Sequence, residues 1–224
     1  MKARIAEVFQ SIQGEGIHLG KEQVFIRFFG CNLERCAFCD TRLSAFKEYA
    51  PADLCDYLKS GFSRLNSVAL TGGEPLVQKE FLSRFLPLLK QAGLEIYLET
   101  NATLPGALRA VIDYIDIIAI DFKFPSSTGL RRFWQEHEEF LKLATQKEVL
   151  IKAVICHSTV YSDLEQAVKV ISRVNRAVPF ILQPNSFESG SSLTNKILEF
   201  KRFSLQSLSD VRIVPQLHKM IGVR

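Results

Sequence analysis

The sequence predicts an α/β fold in which parallel strands and crossover helices form a partial (β/α) barrel. Short apolar or β-branched runs alternate with amphipathic stretches along the 224 residues. Hydrophobic residues make up 47% of the chain, enough to bury one sizeable core. No linker or low-complexity tract interrupts the alternation, so we expect one domain over residues 1–224.

Each predicted element follows from the local pattern of apolar residues. Seven runs are predicted strands: Val24–Gly30, Val68–Thr71, Glu95–Thr100, Ile117–Lys123, Val149–Cys156, Phe180–Gln183 and Val211–Val214. Five stretches between them are predicted helices, the first opened by a proline that suits a helix start: Pro51–Ser60, Lys79–Gln91, Leu130–Ala144, Ser162–Arg176 and Asn195–Phe203.

Polar residues follow most of the predicted strands, at the ends where barrels of this type place their functional groups. We therefore expect these side chains to gather at one edge of the sheet: Cys31, Thr71 to Glu74, Glu99 to Asn101, Asp121, Lys123, Gln183, Gln216 and His218.

Three of the five cysteines, Cys31, Cys36 and Cys39, lie close together in the chain. Thiolates suit zinc or iron–sulfur sites, but a closed zinc site needs four ligands, and no second Cys-x-x-Cys or His-x-His pair follows. A [4Fe–4S] cluster on three cysteines leaves one iron open to a substrate or cofactor. The alternatives are a redox or disulfide element and a chance cluster. The odd cysteine count and the absence of a secretory leader disfavour a disulfide framework. Cys55 and Cys156 fit small buried apolar positions.

Composition and charge indicate which partners and which compartment to expect. The net charge of +4 is mild and the basic residues are scattered, so charge does not call for direct nucleic-acid binding. No apolar run approaches a membrane span. We expect a soluble, cytoplasmic protein with reduced thiols.

Several motifs have a structural interpretation beside the functional one. Thr71 to Pro75 fits a strand-to-helix turn as well as a close backbone approach to a ligand. Glu99 and Lys123 fit a buried ion pair, and His218 fits a core histidine. Ser11 to Gly16 matches neither a phosphate loop nor a dinucleotide fingerprint.

Taken together, the cysteines after the first predicted strand and Gly72-Gly73-Glu74-Pro75 after the second resemble the radical S-adenosylmethionine (SAM) superfamily. More narrowly, the chain resembles the 7-carboxy-7-deazaguanine synthase family, in segments that run from end to end: Phe9–Gly16, Phe25–Asn32, Cys39–Thr41, Leu70–Pro75, Leu98–Asn101, Leu182–Pro184 and Val214–Lys219. The first and last segments are more specific to this family than the cysteines are.

The resemblance implies a lyase of deazapurine biosynthesis that converts 6-carboxy-5,6,7,8-tetrahydropterin to 7-carboxy-7-deazaguanine with loss of ammonia. It implies a [4Fe–4S] cluster, SAM and Mg²⁺, a homodimer, and a one-electron donor protein such as a flavodoxin or ferredoxin. The two rival functions are a glycyl-radical-enzyme activase and a non-enzymatic iron–sulfur or metal-binding module.

By resemblance, Cys31, Cys36 and Cys39 hold the cluster and Thr41 contacts Mg²⁺. The implied SAM site comprises Phe38, Cys39, Asp40, Gly72, Gly73, Glu74, Asp121, Phe122, Lys123 and Gln183. The implied pterin site comprises Ile12, Gln13, Gly14, Glu15, Arg27, Thr71, His218 and Arg224, with the Arg27 guanidinium suited to the substrate carboxylate. No acid or base is assigned.

The chain departs from the superfamily pattern at three places. Four residues separate Cys31 from Cys36, where three are usual. Ala102 stands where glycine is common, and Asp121-Phe122 precedes Lys123 where Ser-Pro is frequent.

Overall fold

A single nine-stranded sheet organises the chain in a computed structural model, which describes residues 1–39, 41, 44–62 and 65–223. Its strands are β1 Ala3–Ile12, β2 Glu22–Phe28, β3 Lys47–Tyr49, β4 Ser67–Gly72, β5 Glu95–Thr100, β6 Ile117–Asp121, β7 Glu148–Ile155, β8 Phe180–Pro184 and β9 Val211–Ile213. Its helices are α1 Pro51–Gly61, α2 Lys79–Gln91, α3 Pro105–Arg109, α4 Pro125–Thr128, α5 Trp134–Ala144, α6 Tyr161–Asn175, α7 Ser191–Ser204 and α8 Leu217–Ile221.

The sheet is open and mostly parallel, which confirms the predicted partial barrel. The strand order is β3-β1-β2-β4-β5-β6-β7-β8-β9. Every pair from β2–β4 to β8–β9 is parallel, whereas β1 is antiparallel to both β2 and β3. Among the described residues, no helix has the length and apolar character needed to cross a membrane.

The main difference from the sequence prediction lies at the amino terminus, where strand β1 was not predicted. Ala3 and Ile5 are buried, but the charged residues beside them make the strand look like solvated chain. The register shifts between Ile5 and Glu7, which further interrupts a strict two-residue alternation. The prediction also missed the short strand β3 and helices α3, α4 and α8.

A second difference concerns the helix predicted from Leu130. Helix α4 ends at Thr128 and is followed by Gly129, whose φ of 76° is left-handed and favours glycine, and α5 begins only at Trp134. The segment between them therefore departs from the helical path, although Leu130 and Phe133 continue the apolar pattern at helical spacing.

The two faces of the parallel strands carry different side chains because successive residues of a strand point to opposite faces. On the helix side, large aliphatic residues such as Ile26, Leu70, Leu98 and Ile120 form the main core. On the concave side a smaller cluster fills the base of the barrel, formed by Phe25, Ala69, Tyr97, Ile117, Ala119, Leu150, Ile181 and Val214. The side chains beyond this cluster face an open cavity.

Close packing of two turns fixes the carboxyl ends of β2 and β4. Gly73 N–H donates to Phe28 O at 3.0 Å, and Glu74 N–H donates to Gly30 O at 2.8 Å. A Cβ on Gly73 would overlap the backbone carbonyl of Gly30. Since neither backbone can move without breaking these bonds, the position requires glycine.

We expect Gly73→Ala to lower the free energy of unfolding by about 3 kcal/mol, because the new methyl group drives the two backbones apart. Gly106→Ala is the matched control. Gly106 lies in α3 with open space around its Cα and an ordinary φ, so alanine there should be neutral or stabilise by up to about 1 kcal/mol. Chemical denaturation of both variants measures the difference, and equal stabilities would contradict the role given to Gly73.

Candidate functional site

A cavity of about 820 Å³ opens at the carboxyl ends of the parallel strands. It gathers most of the site residues expected from the sequence, although they come from every part of the chain. The expected residues that line it are Ile12, Gln13, Gly14, Glu15, Arg27, Cys31, Cys36, Phe38, Cys39, Thr41, Thr71, Gly72, Gly73, Asp121, Lys123, Gln183 and His218.

The cysteine loop, residues 31–39, forms one wall of this cavity. Ala37 N–H donates to Thr128 O at 3.0 Å, which ties the loop to α4, and Cys39 N–H donates to Cys36 O at 3.0 Å. Burial raises the pKa of the Cys31 and Cys36 thiols. In this arrangement, no three described His, Cys, Asp or Glu side chains converge closely enough to hold a metal ion. The three thiols nonetheless supply the soft donor set that an iron–sulfur cluster needs.

Asn101, after β5, supports the start of the cysteine loop. Its Nδ2 donates to Asn32 Oδ1 at 3.0 Å and approaches Cys31 Sγ at 3.9 Å. Its Oδ1 accepts from the Thr103 backbone N–H at 3.1 Å and the Thr103 hydroxyl at 2.6 Å. Ala102, between them, has a φ of 56°, the only left-handed non-glycine residue described. A left-handed backbone explains why glycine suits this position better than alanine.

Glu74 and Phe122, which are expected at the SAM site, do not turn their side chains to the cavity. Glu74 is 1% exposed and points behind the cavity, where its carboxylate accepts from Asn101 N–H at 2.7 Å, the Thr100 hydroxyl at 2.9 Å and Leu76 N–H at 3.1 Å. Burial raises the pKa of Glu74 to about 7, against the opposing effect of these bonds. Phe122 is buried in the main core. Both residues support the site from behind.

A segment near each end of the chain contributes to the wall of the cavity opposite the cysteine loop, and the two segments are in contact. Leu217 N–H donates to Gly14 O at 2.9 Å, and Gln216 Nε2 donates to Glu15 Oε1 at 2.6 Å. The His218 ring lies so close to Gly14 that a Cβ there would overlap it. The interpretation of His218 as a core histidine is therefore wrong, since it lines the cavity.

Arg27 faces the cavity from β2, held by β1. Its Nε donates to Glu7 Oε2 at 3.2 Å, and its guanidinium carbon lies 5.6 Å from the centre of the Phe9 ring. The Phe9 ring in turn stacks on Phe25 at 5.3 Å. These contacts fix the plane of the guanidinium, which suits bidentate recognition of a planar anion.

A row of alternating charges crosses the cavity floor. Glu15 pairs with Lys152, Lys152 lies 3.5 Å from Asp121, and Asp121 pairs with Lys123 at 2.8 Å. All four side chains are at most 15% exposed. The structural alternative of an ion pair between Glu99 and Lys123 is wrong: Glu99 accepts from the Thr71 hydroxyl at 2.6 Å and from Gln13 Nε2 at 3.0 Å.

Burial and pairing act in opposite directions on these groups. Burial by itself would raise the pKa of Glu15, but the attraction of Lys152 and the hydrogen bonds from Lys152 and Gln216 lower that pKa to about 2. For Lys152, burial favours the neutral form, yet Glu15 and Asp121 raise its pKa well above the usual range. Both groups are therefore charged at neutral pH.

Two acceptors on the cavity wall have no hydrogen-bond partner among the described residues. They are the buried oxygens Asp121 Oδ1 and Gln183 Oε1. Buried acceptors of this kind are costly unless a ligand or water donates to them. They are suited to the amino, hydroxyl or ring N–H donors of a polar ligand.

The sequence analysis did not find Lys152. Its signal is a lone lysine in the apolar strand β7, on the same face as Leu150 and Val154. Gln216 and Glu99 were expected at the strand ends but were given no ligand. Asp40 and Arg224, expected in the SAM and pterin sites, lie outside the described residues.

Comparison with known proteins places these features in a family. The sequence profile of the radical SAM superfamily matches residues 25–177. The 7-carboxy-7-deazaguanine synthase of Geobacter sulfurreducens is 37% identical, over 98% of this chain and 97% of that protein. The enzyme of the same name from Archaeoglobus fulgidus is 32% identical over the full length of both chains.

Among solved structures, QueE from Escherichia coli has a TM-score of 0.68 and 20% sequence identity, over 97% of this chain and 95% of that chain. At this identity the likeness establishes a shared fold. The extra residue between Cys31 and Cys36 is therefore accommodated without a change of fold.

His137, on α5, supports the site from the core. Its Nε2 lies 3.2 Å from Asn101 O, and its ring stacks on Phe122 with centroids 4.4 Å apart. Burial lowers the pKa of His137 to about 4. Because the unfolded chain takes up this proton near pH 6.5, the stability that this group contributes is lost as pH falls from about 6.5 towards 4.

We expect His137→Gln to flatten the dependence of the unfolding free energy on pH in this window by up to about 1.4 kcal/mol per pH unit. Denaturant titrations at several pH values measure the slope. The exposed His157 also lies near a backbone carbonyl, at 3.3 Å from Ser189 O, so His157→Gln is the control and should keep the wild-type slope. An unchanged slope in His137→Gln would show that His137 is not held neutral.

Proposed function

This chain belongs to the 7-carboxy-7-deazaguanine synthase family of the radical SAM superfamily, and we propose that it converts 6-carboxy-5,6,7,8-tetrahydropterin to 7-carboxy-7-deazaguanine with loss of ammonia. One observation carries the proposal. The loop from Gln13 to Glu15 and the segment from Gln216 to His218, the parts most specific to this family, meet at the cavity that also contains the cysteine loop. An activase or an electron-carrier module would have no need of this second polar wall.

Membership of the superfamily implies a [4Fe–4S] cluster and SAM. We propose that Cys31, Cys36 and Cys39 hold the cluster. Bound there, the cluster would supply the electron for reductive cleavage of SAM, the radical chemistry by which hydrogen would be taken from C6 of the pterin. The walls of the cavity keep the reacting carbon in place and exclude water that would divert the reaction.

The residues around the cysteine loop fit SAM. The close turn at Gly72 and Gly73 leaves backbone without a side chain facing the cavity. Asp121 Oδ1 and Gln183 Oε1 are the unpartnered acceptors described above, suited to the amino and ribose hydroxyl groups. The Lys123 ammonium lies 5.3 Å from the centre of the Phe38 ring, so both side chains are held at this end of the cavity.

The opposite wall fits a carboxylated pterin. Arg27 offers a fixed guanidinium for the carboxylate. Gln13, Glu15, Thr71 and His218 surround the remaining space with hydrogen-bonding groups. With SAM at the cysteine loop, the pterin would lie between that loop and the two segments Gln13 to Glu15 and Gln216 to His218.

The same proposal includes a magnesium ion, a homodimer, a cytoplasmic location and an electron donor. Thr41 lines the cavity and would present its hydroxyl to Mg²⁺, with substrate oxygens and water completing the shell. The enzyme would act as a homodimer in the cytoplasm, reduced by a one-electron donor protein such as a flavodoxin or ferredoxin. Its five free cysteines suit a reducing compartment.

The experiment that tests the function is anaerobic turnover by the reconstituted enzyme. We expect wild type to form 7-carboxy-7-deazaguanine and ammonia. Cys31→Ala, Cys36→Ala and Cys39→Ala should lose both cluster iron and SAM cleavage, because each thiolate is needed to hold the cluster. Cys55→Ala is the control, since Cys55 is buried in α1 away from the cavity. Loss of the cluster in Cys55→Ala, or wild type without product, would contradict the assignment.

The magnesium site has its own prediction. Thr41→Val keeps the branched shape and removes only the hydroxyl, so it should lower product formation about tenfold or more while leaving SAM cleavage without substrate intact. Thr41→Ser, which restores the oxygen, should recover most of the activity. A magnesium titration that gives the same curve for wild type and Thr41→Val would rule out this site.

A further inference from the structure

Lys152 has no place in the function described so far, although it lies at the centre of the charged row on the cavity floor. We propose that Lys152 is a positioning residue that holds the Glu15 carboxylate ready to accept hydrogen bonds from the pterin. This inference rests on the proposed function and assigns to it a residue of β7, a strand outside the segments in which the sequence resembles the family.

The position of Lys152 in the strand argues against a role in packing. Its neighbours on the same face of β7, Leu150 and Val154, are apolar. A methionine would fill this place without the cost of burying an ammonium, and replacing buried ion pairs by apolar residues is often neutral or stabilising. A lysine kept among apolar residues indicates that its charge has a use in the cavity.

The contacts of Glu15 show what that use is. Lys152 donates to Oε2, while Gln216 Nε2 and Gln183 Nε2 donate to Oε1 at 2.6 and 3.4 Å. Glu15 N–H also donates to Gln13 Oε1 at 3.0 Å, which fixes the backbone beneath the carboxylate. The carboxylate is thus held at both oxygens, and Lys152 is its only cationic donor among the described residues.

The pterin edge that bears the 2-amino group and ring N–H presents donors, and an ionised carboxylate only accepts. Protonation of Glu15 would place an O–H against one of these donors. Glu15 must therefore stay ionised in a buried site to recognise the pterin. The attraction of Lys152 is the largest effect that lowers the pKa of Glu15 and so keeps it ionised.

The charges around Glu15 leave no substitute for Lys152. Asp121 approaches from β6, Glu99 and the Tyr97 hydroxyl from β5, and His218 from α8. Without the ammonium, Glu15 would share the cavity floor with two other carboxylates, and burial together with their repulsion would raise its pKa. His218 is the other side chain near Glu15 that can carry a positive charge, and Lys123, further along the row, is paired with Asp121 at 2.8 Å.

The test measures affinity for the carboxytetrahydropterin by anaerobic calorimetry. It uses reconstituted enzyme with SAM bound and no reductant, so that nothing turns over, from pH 5.5 to 8.5. Lys152→Met should weaken binding about tenfold or more and should add an acid-side loss of affinity that wild type lacks. Lys152→Arg should restore most of the affinity. Lys90→Met is the matched control: Lys90 pairs with Asp116 at 2.8 Å on the outside of the fold, and its loss should change nothing in binding.

A double-mutant cycle shows whether Lys152 acts through Glu15. Glu15→Gln should also weaken binding, and Lys152→Met added to it should cost little more, because the carboxylate it served is gone. The double variant carries no unpaired charge from this pair, so it remains measurable if Lys152→Met alone fails to fold. Fully additive losses, or wild-type affinity and pH profile in Lys152→Met, would overturn the inference.

The outcome also separates this inference from the proposed function. A wild-type enzyme that neither binds nor converts the pterin overturns both. A wild type that converts it, with Lys152→Met equally active and equally tight in binding, overturns only the role of Lys152.

Discussion

The alternation of side chains along parallel strands is the constraint on which the site depends. Every second residue of β4, β5 and β6 faces the concave side, so Thr71, Glu99 and Asp121 lie together although tens of residues separate them. Residues one place away face the helices and fill the core. The same rule that builds a buried sheet therefore also builds a polar edge.

Buried polar groups join the loops and strand ends at this edge of the sheet. Glu74, behind the cavity, joins the turn after β4 to the end of β5 through two hydrogen bonds. The row from Glu15 to Lys123 joins the amino-terminal loop to β7 and β6. Such groups are costly to bury alone and stable only when paired. Removing one partner is therefore expected to affect more than its own position.

The sequence predicted the strands of the barrel and the edge that carries the site, because apolar runs and the polar residues after them are local patterns. Motifs carried over as continuous segments include residues whose side chains do not face the cavity: Glu74 and Phe122 are adjacent to lining residues and are buried. Strand β1 was not predicted because charged residues interrupt its apolar pattern. Lys152 was not predicted as a site residue because its neighbours in β7 are apolar. The ion pairs of Lys123 and Lys152 depend on distances between strands, which no local pattern contains.

The central claim is that one cavity places the pterin beside the cofactor held at the cysteine loop. The most direct measurement uses substrate deuterated at C6 and mass spectrometry of the 5′-deoxyadenosine formed. Loss of ammonia leaves the conversion redox-neutral, so the abstracted hydrogen must be returned and 5′-deoxyadenosine does not accumulate in step with product. We expect deuterium from C6 to enter 5′-deoxyadenosine, because the two reactants would share the cavity without intervening water. Product formed with unlabelled 5′-deoxyadenosine would contradict it.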